Sequence, residues 1–158
     1  IKIRHIMLLL INKEQYDSNS IYFGEKNTNN IIDNSFFYNI TYTTSLFTIQ
    51  QLHINFELKN LSLEPYYNKY KLTLINIDIN KETLKKLIYF ECSILKSFKS
   101  NKIHNLKLKD QIYNNTLKCV SNIDINRKIY EKHNFVIKIS GIWENSAEIG
   151  LIYKLIII

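Results

Sequence analysis

The sequence predicts a β-rich α+β domain of about six or seven strands with one long amphipathic helix between strands. Three observations support this fold class. Residues 36–42 and 52–59 alternate apolar and polar side chains with the period of a half-buried strand. Residues 80–99 change to the period of a helix, and residues 135–158 return to strands. This order suits an OB-like or Greek-key barrel, and it also suits a sandwich with one helix laid on it.

The length of the chain fits one domain, since 158 residues can enclose a core of their own. Residues 1–34 are weakly patterned, and we interpret them as an N-terminal arm with little regular structure. Residues 35–158 are predicted to form a single β-rich domain, because no repeat and no long linker interrupts them.

The strands before the helix are defined by their alternation. The clearest period runs from Leu52 to Leu58, where every even-numbered residue is apolar. Pro65, the only proline, is expected to break the chain before the next strand. That strand carries Tyr70 and Leu74 on one face.

The helix predicted over residues 80–99 has a suitable N-cap in Asn80, and Glu82 lies in its first turn, where the helix dipole favours a carboxylate. One charged residue, Glu91, falls on the apolar stripe. We favour a position at the edge of the stripe, because buried glutamate is rare unless it is paired. The alternative is a buried carboxylate with a partner.

The segment after the helix reads as further strands. Residues 106–109 alternate leucine and lysine, which indicates a strand with Lys107 and Lys109 facing outward. A hairpin is predicted to turn at residues 114–115, and residues 122–134 read as a loop.

The closing hairpin, residues 135–158, turns at residues 145–146 and holds two of the three glycines, Gly141 and Gly150. An isolated glycine in a strand marks a bulge, a bend or a close backbone approach, so each glycine could bend its strand to close a barrel. Trp143 then has two interpretations. We favour a plug in the core or at the barrel end, and the alternative is a stacking platform for a base.

The charge balance favours an anionic partner. A net charge of +7 and a pI near 9.3 suit nucleic acid or an acidic lipid surface. The composition is rich in Ile, Asn, Lys, Tyr and Phe, which is typical of AT-rich coding DNA. We therefore ascribe part of the lysine content to codon use.

The sequence contains no catalytic or metal-binding pattern. Cys92 and Cys119 are isolated thiols without a histidine nearby, and the histidines are scattered. No glycine-rich phosphate loop is present, and the apolar run at residues 7–11 is too short to span a membrane. We predict no enzyme activity, no metal, no cofactor, no small-molecule substrate and no membrane association, in an intracellular protein with reduced thiols.

Residues 44–74, 84–98 and 135–155 resemble segments of uncharacterised proteins of nucleocytoplasmic large DNA viruses and endogenous viral elements, which share an ISGIWE…GLxYK hairpin. The strand–helix–strand order is also similar to that of phage-type single-stranded-DNA-binding proteins, which have an OB fold and an acidic C-terminal tail. This chain ends in LIYKLIII, so either it is truncated or that class does not apply. The resemblance implies a viral protein of the host cytoplasm (virus factory) or nucleus, and it assigns no site residues.

The residues and the resemblance together favour a viral DNA-binding protein that holds single-stranded DNA, with little sequence preference, on a basic and aromatic sheet face. The predicted binding residues are Tyr66, Tyr67, Lys69, Tyr70, Lys71, Lys107, Lys109, Lys118, Lys138, Trp143 and Lys154. The alternative is a structural or virion-associated interaction protein without a nucleic-acid site, in which these lysines are a solvated face. A homodimer or larger assembly would favour that alternative.

Overall fold

The computed structural model of the protein describes residues 11–158, so the first ten residues of the predicted arm lie outside the described part. Ten strands and two α-helices form the regular structure of the described part. The strands are β1 (Ile11–Asn12), β2 (Ile21–Thr28), β3 (Phe36–Thr43), β4 (Thr48–Gln50), β5 (Leu52–Tyr66), β6 (Lys69–Leu74), β7 (Ile103–Asn105), β8 (Leu117–Val120), β9 (Lys128–Glu144) and β10 (Glu148–Ile157). The helices are α1 (Lys81–Ser97) and α2 (Lys107–Tyr113), with 3-10 turns at Ser18–Ser20 and Asp78–Asn80.

The prediction of a β-rich α+β fold with one long helix is confirmed, but the expected number of strands was too low. β1, β4 and β7 have only two or three residues each, so they leave no periodic signal in the sequence. β2 was not predicted either. Ile21 is its only buried residue, so the strand shows no alternation of apolar and polar side chains.

Five strands pair in a closed ring. β5 pairs with β6, β6 with β8, β8 with β10, β10 with β9, and β9 again with β5. The β8–β10 pair is parallel and the other four pairs are antiparallel. The inward faces of the ring carry the apolar core, so the alternation of each strand sends its remaining side chains outward.

β5 continues beyond the alternation that the sequence shows. The alternation stops because the buried positions change from even to odd residue numbers within the strand, while the strand itself goes on. Leu58 and Leu61 are both buried, and between them Asn60 has a positive φ of 48°. Pro65 therefore does not break the strand as predicted. It lies in the last pairs of β5, opposite Tyr70, where the loss of one backbone donor is tolerated.

β9 bends where it changes partner. Its residues 128–139 pair with β5, and its residues 141–144 pair with β3. The register with β10 shifts by one residue between these two parts, which leaves Ser140 as a bulge. Gly141 lies at this corner, and a side chain there would overlap the carbonyl oxygen of Tyr38. The glycine thus permits the close approach of β3 to β9.

The strands β3, β2 and β4 extend the sheet beyond β9. β2 belongs to the segment that was interpreted as an arm, and Ile11, Tyr16 and Ile21 of that segment are buried in the core. The Tyr16 hydroxyl lies 2.8 Å from the Ser93 hydroxyl of α1. Residues 11–28 are therefore built into the domain, which differs from the interpretation as a weakly structured arm.

Helix α1 confirms the predicted helix, and its apolar stripe is buried against the sheet. At its end the Phe98 ring packs edge-on against Phe23 and Tyr38, with ring centroids 5.1 and 4.7 Å apart. Asn80 precedes the helix, but its side chain does not cap it. The carboxamide instead accepts from the Lys59 N–H and donates to the Lys59 carbonyl, both at 2.8 Å.

The prediction of a strand at residues 106–109 is wrong, because these residues begin the short helix α2. Leu108 and Ile112, one helical turn apart, are its buried residues. After the helix, Asn115 has a φ of 53°, and its carboxamide makes two hydrogen bonds of 2.9 Å to the backbone of Leu74. The predicted loop at 122–134 is also too long, since β9 already starts at Lys128.

The turn of the closing hairpin is confirmed at residues 145–147, where the Asn145 side chain accepts from the N–H groups of Ala147 and Glu148. Within residues 11–158, neither helix combines the length and the apolar character needed to cross a membrane.

We expect Gly141→Ala to destabilise the fold by about 1–3 kcal/mol, because the added methyl group would force β3 away from β9. Chemical denaturation followed by circular dichroism measures this loss. Gly24→Ala is the matched control: its added methyl group would lie 3.5 Å from the Asn39 carbonyl oxygen, and the change should stay within about 0.5 kcal/mol. Equal losses in both variants would contradict the close approach at Gly141.

Candidate nucleic-acid interface

Four lysines form a row across the outside of the ring, which we call the lysine row: Lys71, Lys118, Lys154 and Lys138, on β6, β8, β10 and β9. Lys71 lies directly opposite Lys118, and Lys154 directly opposite Lys138. In the parallel pair of β8 and β10, Lys118 and Lys154 immediately precede paired residues, so they also lie side by side. Like charges in direct cross-strand contact are destabilising, so this arrangement calls for a compensating anion.

The charges of the lysine row are only partly balanced by the protein. At one end, Lys71 is 3.9 Å from the Glu64 carboxylate. At the other end, Lys138 faces His53, and the pKa of that histidine is lowered by burial and by the charge of Lys138. Lys118 and Lys154, in the middle, are exposed and form no ion pair with any residue of 11–158.

A break in the sheet creates a pocket beside this row. β10 pairs on one edge with β7 at residues 148–150 and with β8 at residues 155–156. Residues 151–154 have no described strand on that edge, and we call them the open edge. Side chains of α2 line the space beside them, and the Tyr153 hydroxyl donates to Gln111 Oε1 at 3.1 Å.

The resulting pocket, here called the basic pocket, has a volume of about 340 Å³. Its lining is formed by Lys69, Lys107, Gln111, Lys118, Val120, Trp143, Leu151, Ile152, Tyr153, Lys154 and Leu155. Four of these side chains are lysines and none is a carboxylate. Within the described part of the chain none of the four lysines is in an ion pair, so the pocket carries uncompensated positive charge.

Trp143 forms one wall of the basic pocket. It pairs with Gly150 across the β9–β10 hairpin, and a Cβ atom at residue 150 would overlap the indole ring. The glycine therefore makes room for the ring to lie against the backbone of β10. The indole is half-buried on the outer face and is not part of the core, so the interpretation as a plug in the core is wrong.

A buried carboxylate positions the α2 side of the basic pocket. Glu91 Oε1 and Oε2 accept hydrogen bonds from the N–H groups of Leu108 and Lys109 at 2.9 and 2.8 Å. Glu91 is fully buried, so the interpretation at the edge of the stripe is wrong and the paired alternative holds. Burial raises its pKa, while the two N–H donors act in the opposite direction. Because Glu91 fixes the first turn of α2, it also fixes Lys107 and Gln111.

A second depression, of about 360 Å³, adjoins the basic pocket at the turn between β5 and β6. Lys69 and Lys118 line both, and Tyr66, Tyr67 and Asn68 complete the second one. Lys118 Nζ lies 4.8 Å from the centre of the Tyr66 ring, a cation–π distance. Tyr67 is 92% exposed in the turn, with a φ of 52°. The two depressions thus form one continuous basic and aromatic surface.

Four predicted binding residues line neither depression: Tyr70, Lys71, Lys109 and Lys138. Lys71 and Lys138 belong to the lysine row, whereas Tyr70 and Lys109 make other contacts. The Tyr70 hydroxyl accepts from the Ile125 N–H at 3.0 Å and so holds the loop before β9. Lys109 does not line the basic pocket, and its ammonium lies 5.8 Å from the centre of the Tyr113 ring.

Sequence reasoning missed Gln111 and Tyr153, because it assigned the start of α2 to a strand. The pairs Leu108–Ile112 and Lys107–Gln111, each four residues apart, were the available signal for a helix.

Burial raises the pKa of the Cys119 thiol to about 12, so it stays protonated. Residues 11–158 contain no group of three or more His, Cys, Asp or Glu side chains arranged to hold a metal ion.

Comparison of the chain with family models, curated proteins and solved structures gives no match. The resemblance to viral proteins therefore stays a prediction from the sequence.

Glu91→Gln tests the buried carboxylate through pH. The pKa of Glu91 is raised in the folded protein, so folding takes up a proton at pH values above its ordinary pKa of 4.5. This contribution to stability is complete below that value and is lost as pH rises through the raised pKa. We therefore expect the stability of the wild type relative to Glu91→Gln to fall as pH rises from about 4.5 towards neutral.

Urea denaturation at a series of pH values measures that difference. Glu82→Gln, on the exposed first turn of the same helix, is the control and should leave the pH profile of the wild type unchanged. Parallel profiles for the wild type and Glu91→Gln would show that Glu91 does not titrate in this range.

Proposed function

We propose that the protein binds single-stranded DNA, with little sequence preference, on the surface formed by the basic pocket and the β5–β6 turn. The observation that carries this proposal is the convergence of four lysines without ion pairs and one tryptophan on a pocket without a described carboxylate. Lysines supply the contacts to phosphates, and aromatic rings supply the stacking that every base can use.

The strand order of the ring supports the proposal. In chain order the ring strands are β5, β6, β8, β9 and β10, with the third paired to the fifth. OB folds are five-stranded Greek-key barrels that bind oligonucleotides on the face of their second and third strands and at the loops after the first and fourth. We propose that this ring is OB-like, although here α1 connects the second and third strands of the ring.

Several of the predicted residues lie on the corresponding strands and loops of this ring. Lys69, Lys71 and Lys118 lie on its second and third strands. Tyr67 lies in the loop after the first strand, and Trp143 lies just before the loop after the fourth. We propose a single strand as the ligand because stacking on these rings requires bases that are not paired, whereas a duplex offers its phosphates first.

The alternative function is that of an interaction protein without a nucleic-acid site. It would use a different part of the surface to contact a partner. Ile31 and Leu46, in the loops on either side of β3, are 94% and 88% exposed. Exposed apolar side chains of this kind suit a protein contact. Failure to bind DNA at low salt would make this the leading function.

The lysines are tested by fluorescence anisotropy of a labelled oligo-dT in a salt series, with a duplex of equal length as the comparison. We expect tighter binding of the single strand and a steep decrease with salt. Each lysine that contacts a phosphate contributes about 0.7 to the slope of log K against log salt, so Lys118→Gln with Lys154→Gln should lower the slope by about 1.4.

Lys132→Gln is the matched control, because Lys132 is also an exposed strand lysine opposite another lysine, Lys59, but lines no described pocket. It should leave the slope almost unchanged. Absence of binding at about 50 mM salt, where phosphate contacts are strong, would reject the proposal.

The stacking role of Trp143 is tested by Trp143→Leu, which should weaken binding of oligo-dT by about 1–3 kcal/mol. Tyr113→Leu removes an exposed ring of α2 that does not line the basic pocket and serves as the control. An equal loss in both variants, or none in Trp143→Leu, would show that the indole is not a platform.

A further inference from the structure

We infer that the basic pocket is a site for a single nucleotide with terminal phosphates, in which the base stacks on Trp143 and the phosphates lie among the four lysines. The ligand class follows from the proposed function, but the inference concerns the pocket itself. It adds that a free nucleoside triphosphate, or the phosphorylated end of a strand, occupies this pocket in preference to an internal nucleotide.

The shape of the pocket favours a small ligand. A volume of about 340 Å³ lies at the lower end of the range for small-molecule sites, which is about 300–1,000 Å³. The pocket lies at the break in the sheet, with Lys107 and Gln111 of α2 on one side and the open edge of β10 on the other. The neighbouring depression at Tyr66 and Tyr67 shares Lys69 and Lys118 with the pocket and offers further room that a longer strand can occupy.

The charge of the pocket favours terminal phosphates. Lys69, Lys107, Lys118 and Lys154 are four positively charged residues in the lining of one cavity, and no carboxylate of the described residues lines it. An internal phosphodiester carries one negative charge, which would leave most of this charge unbalanced. A triphosphate, or the terminal monophosphate of a strand, brings more negative charge into the same volume. Lysine binds such groups as a mobile point charge and needs no fixed fork geometry.

The remaining lining provides for a base. The indole of Trp143 offers a ring face, and Val120 and Ile152 are apolar neighbours in the lining. The Oε1 atom of Gln111 accepts a hydrogen bond from the Tyr153 hydroxyl, and this bond orients the amide. The NH₂ group of the amide has no partner among the described residues. The open edge of β10 adds backbone groups that no described strand uses. A base that enters the pocket can therefore stack and form hydrogen bonds.

The test uses the fluorescence of Trp143, which is the only tryptophan of the chain. The full chain is titrated with dTTP, dTMP, thymidine and inorganic tripolyphosphate. We expect dTTP to quench the fluorescence, dTMP to need a concentration about tenfold higher, and thymidine to have no effect in the same range. Tripolyphosphate should not quench but should displace dTTP.

Variants locate the site. Lys107→Gln and Lys154→Gln should each weaken dTTP binding about tenfold, whereas Lys132→Gln should not change it. Melting curves of the variants establish that each one is folded. Quenching by dTTP that is equally strong in Lys107→Gln and Lys154→Gln would overturn the inference, because the ligand would then lie elsewhere.

Further arms separate the sources of the ligand and the two proposals. If a 5′-phosphorylated oligo-dT binds more tightly than the same oligomer with a 5′-hydroxyl, the strand end is a ligand of the pocket. If the two bind equally while dTTP still quenches, the free nucleotide is the ligand. Binding of oligo-dT without any quenching or displacement by dTTP would overturn the inference and leave the proposed function intact. Binding of dTTP without binding of oligo-dT would overturn the proposed function and leave the inference intact.

Discussion

The bulge of β9 at Ser140 is the constraint on which the rest of the structure depends. One extra residue reverses the alternation of the strand, so Ile139 and Ile142 both face the core and Trp143 faces outward. The same bulge marks the place where β9 leaves β5 and joins β3. Closure of the ring, extension of the sheet and the outward position of the indole are therefore consequences of one local irregularity, which the small residue Gly141 makes possible.

Electrostatics at the outer face and in the interior are connected through α2. A row of like charges lowers the stability of the outer face, and a buried carboxylate does the same for the interior. Glu91 recovers part of its cost through two backbone hydrogen bonds, and these bonds orient the helix that brings Lys107 to the other lysines. The arrangement of this one pocket therefore lowers the stability of the protein, which is typical of a functional site.

The parts of the fold that sequence could predict are those with long, regular periods. The alternation from Leu52 to Leu58 and the stripe of α1 were sufficient, because each repeats several times. α2 has only seven residues, and its leucine–lysine alternation imitates a strand. Its first turn also donates two hydrogen bonds to Glu91 of α1, and such tertiary contacts leave no periodic signal.

For the candidate site, charge and aromatic content predicted the four lysines of the basic pocket and Trp143, but not their arrangement. The pocket arises where β10 loses a partner between β7 and β8, a property of pairing that no single segment encodes. Gln111 was missed for another reason, since it enters the site through α2, whose start was predicted as a strand. Composition could therefore indicate the class of ligand, whereas the pocket required the topology.

The carboxamides of Asn80 and Asn115 have a consequence for the chemical ageing of the protein. Each carboxamide pairs with the backbone as the peptide group of a neighbouring strand would. It accepts one hydrogen bond from, and donates one to, the backbone of Lys59 or Leu74. Deamidation would keep the shape of the side chain but replace its donor with a charged oxygen that faces a carbonyl group. Deamidation of either asparagine would therefore remove one hydrogen bond and place a charge beside the backbone of β5 or β6.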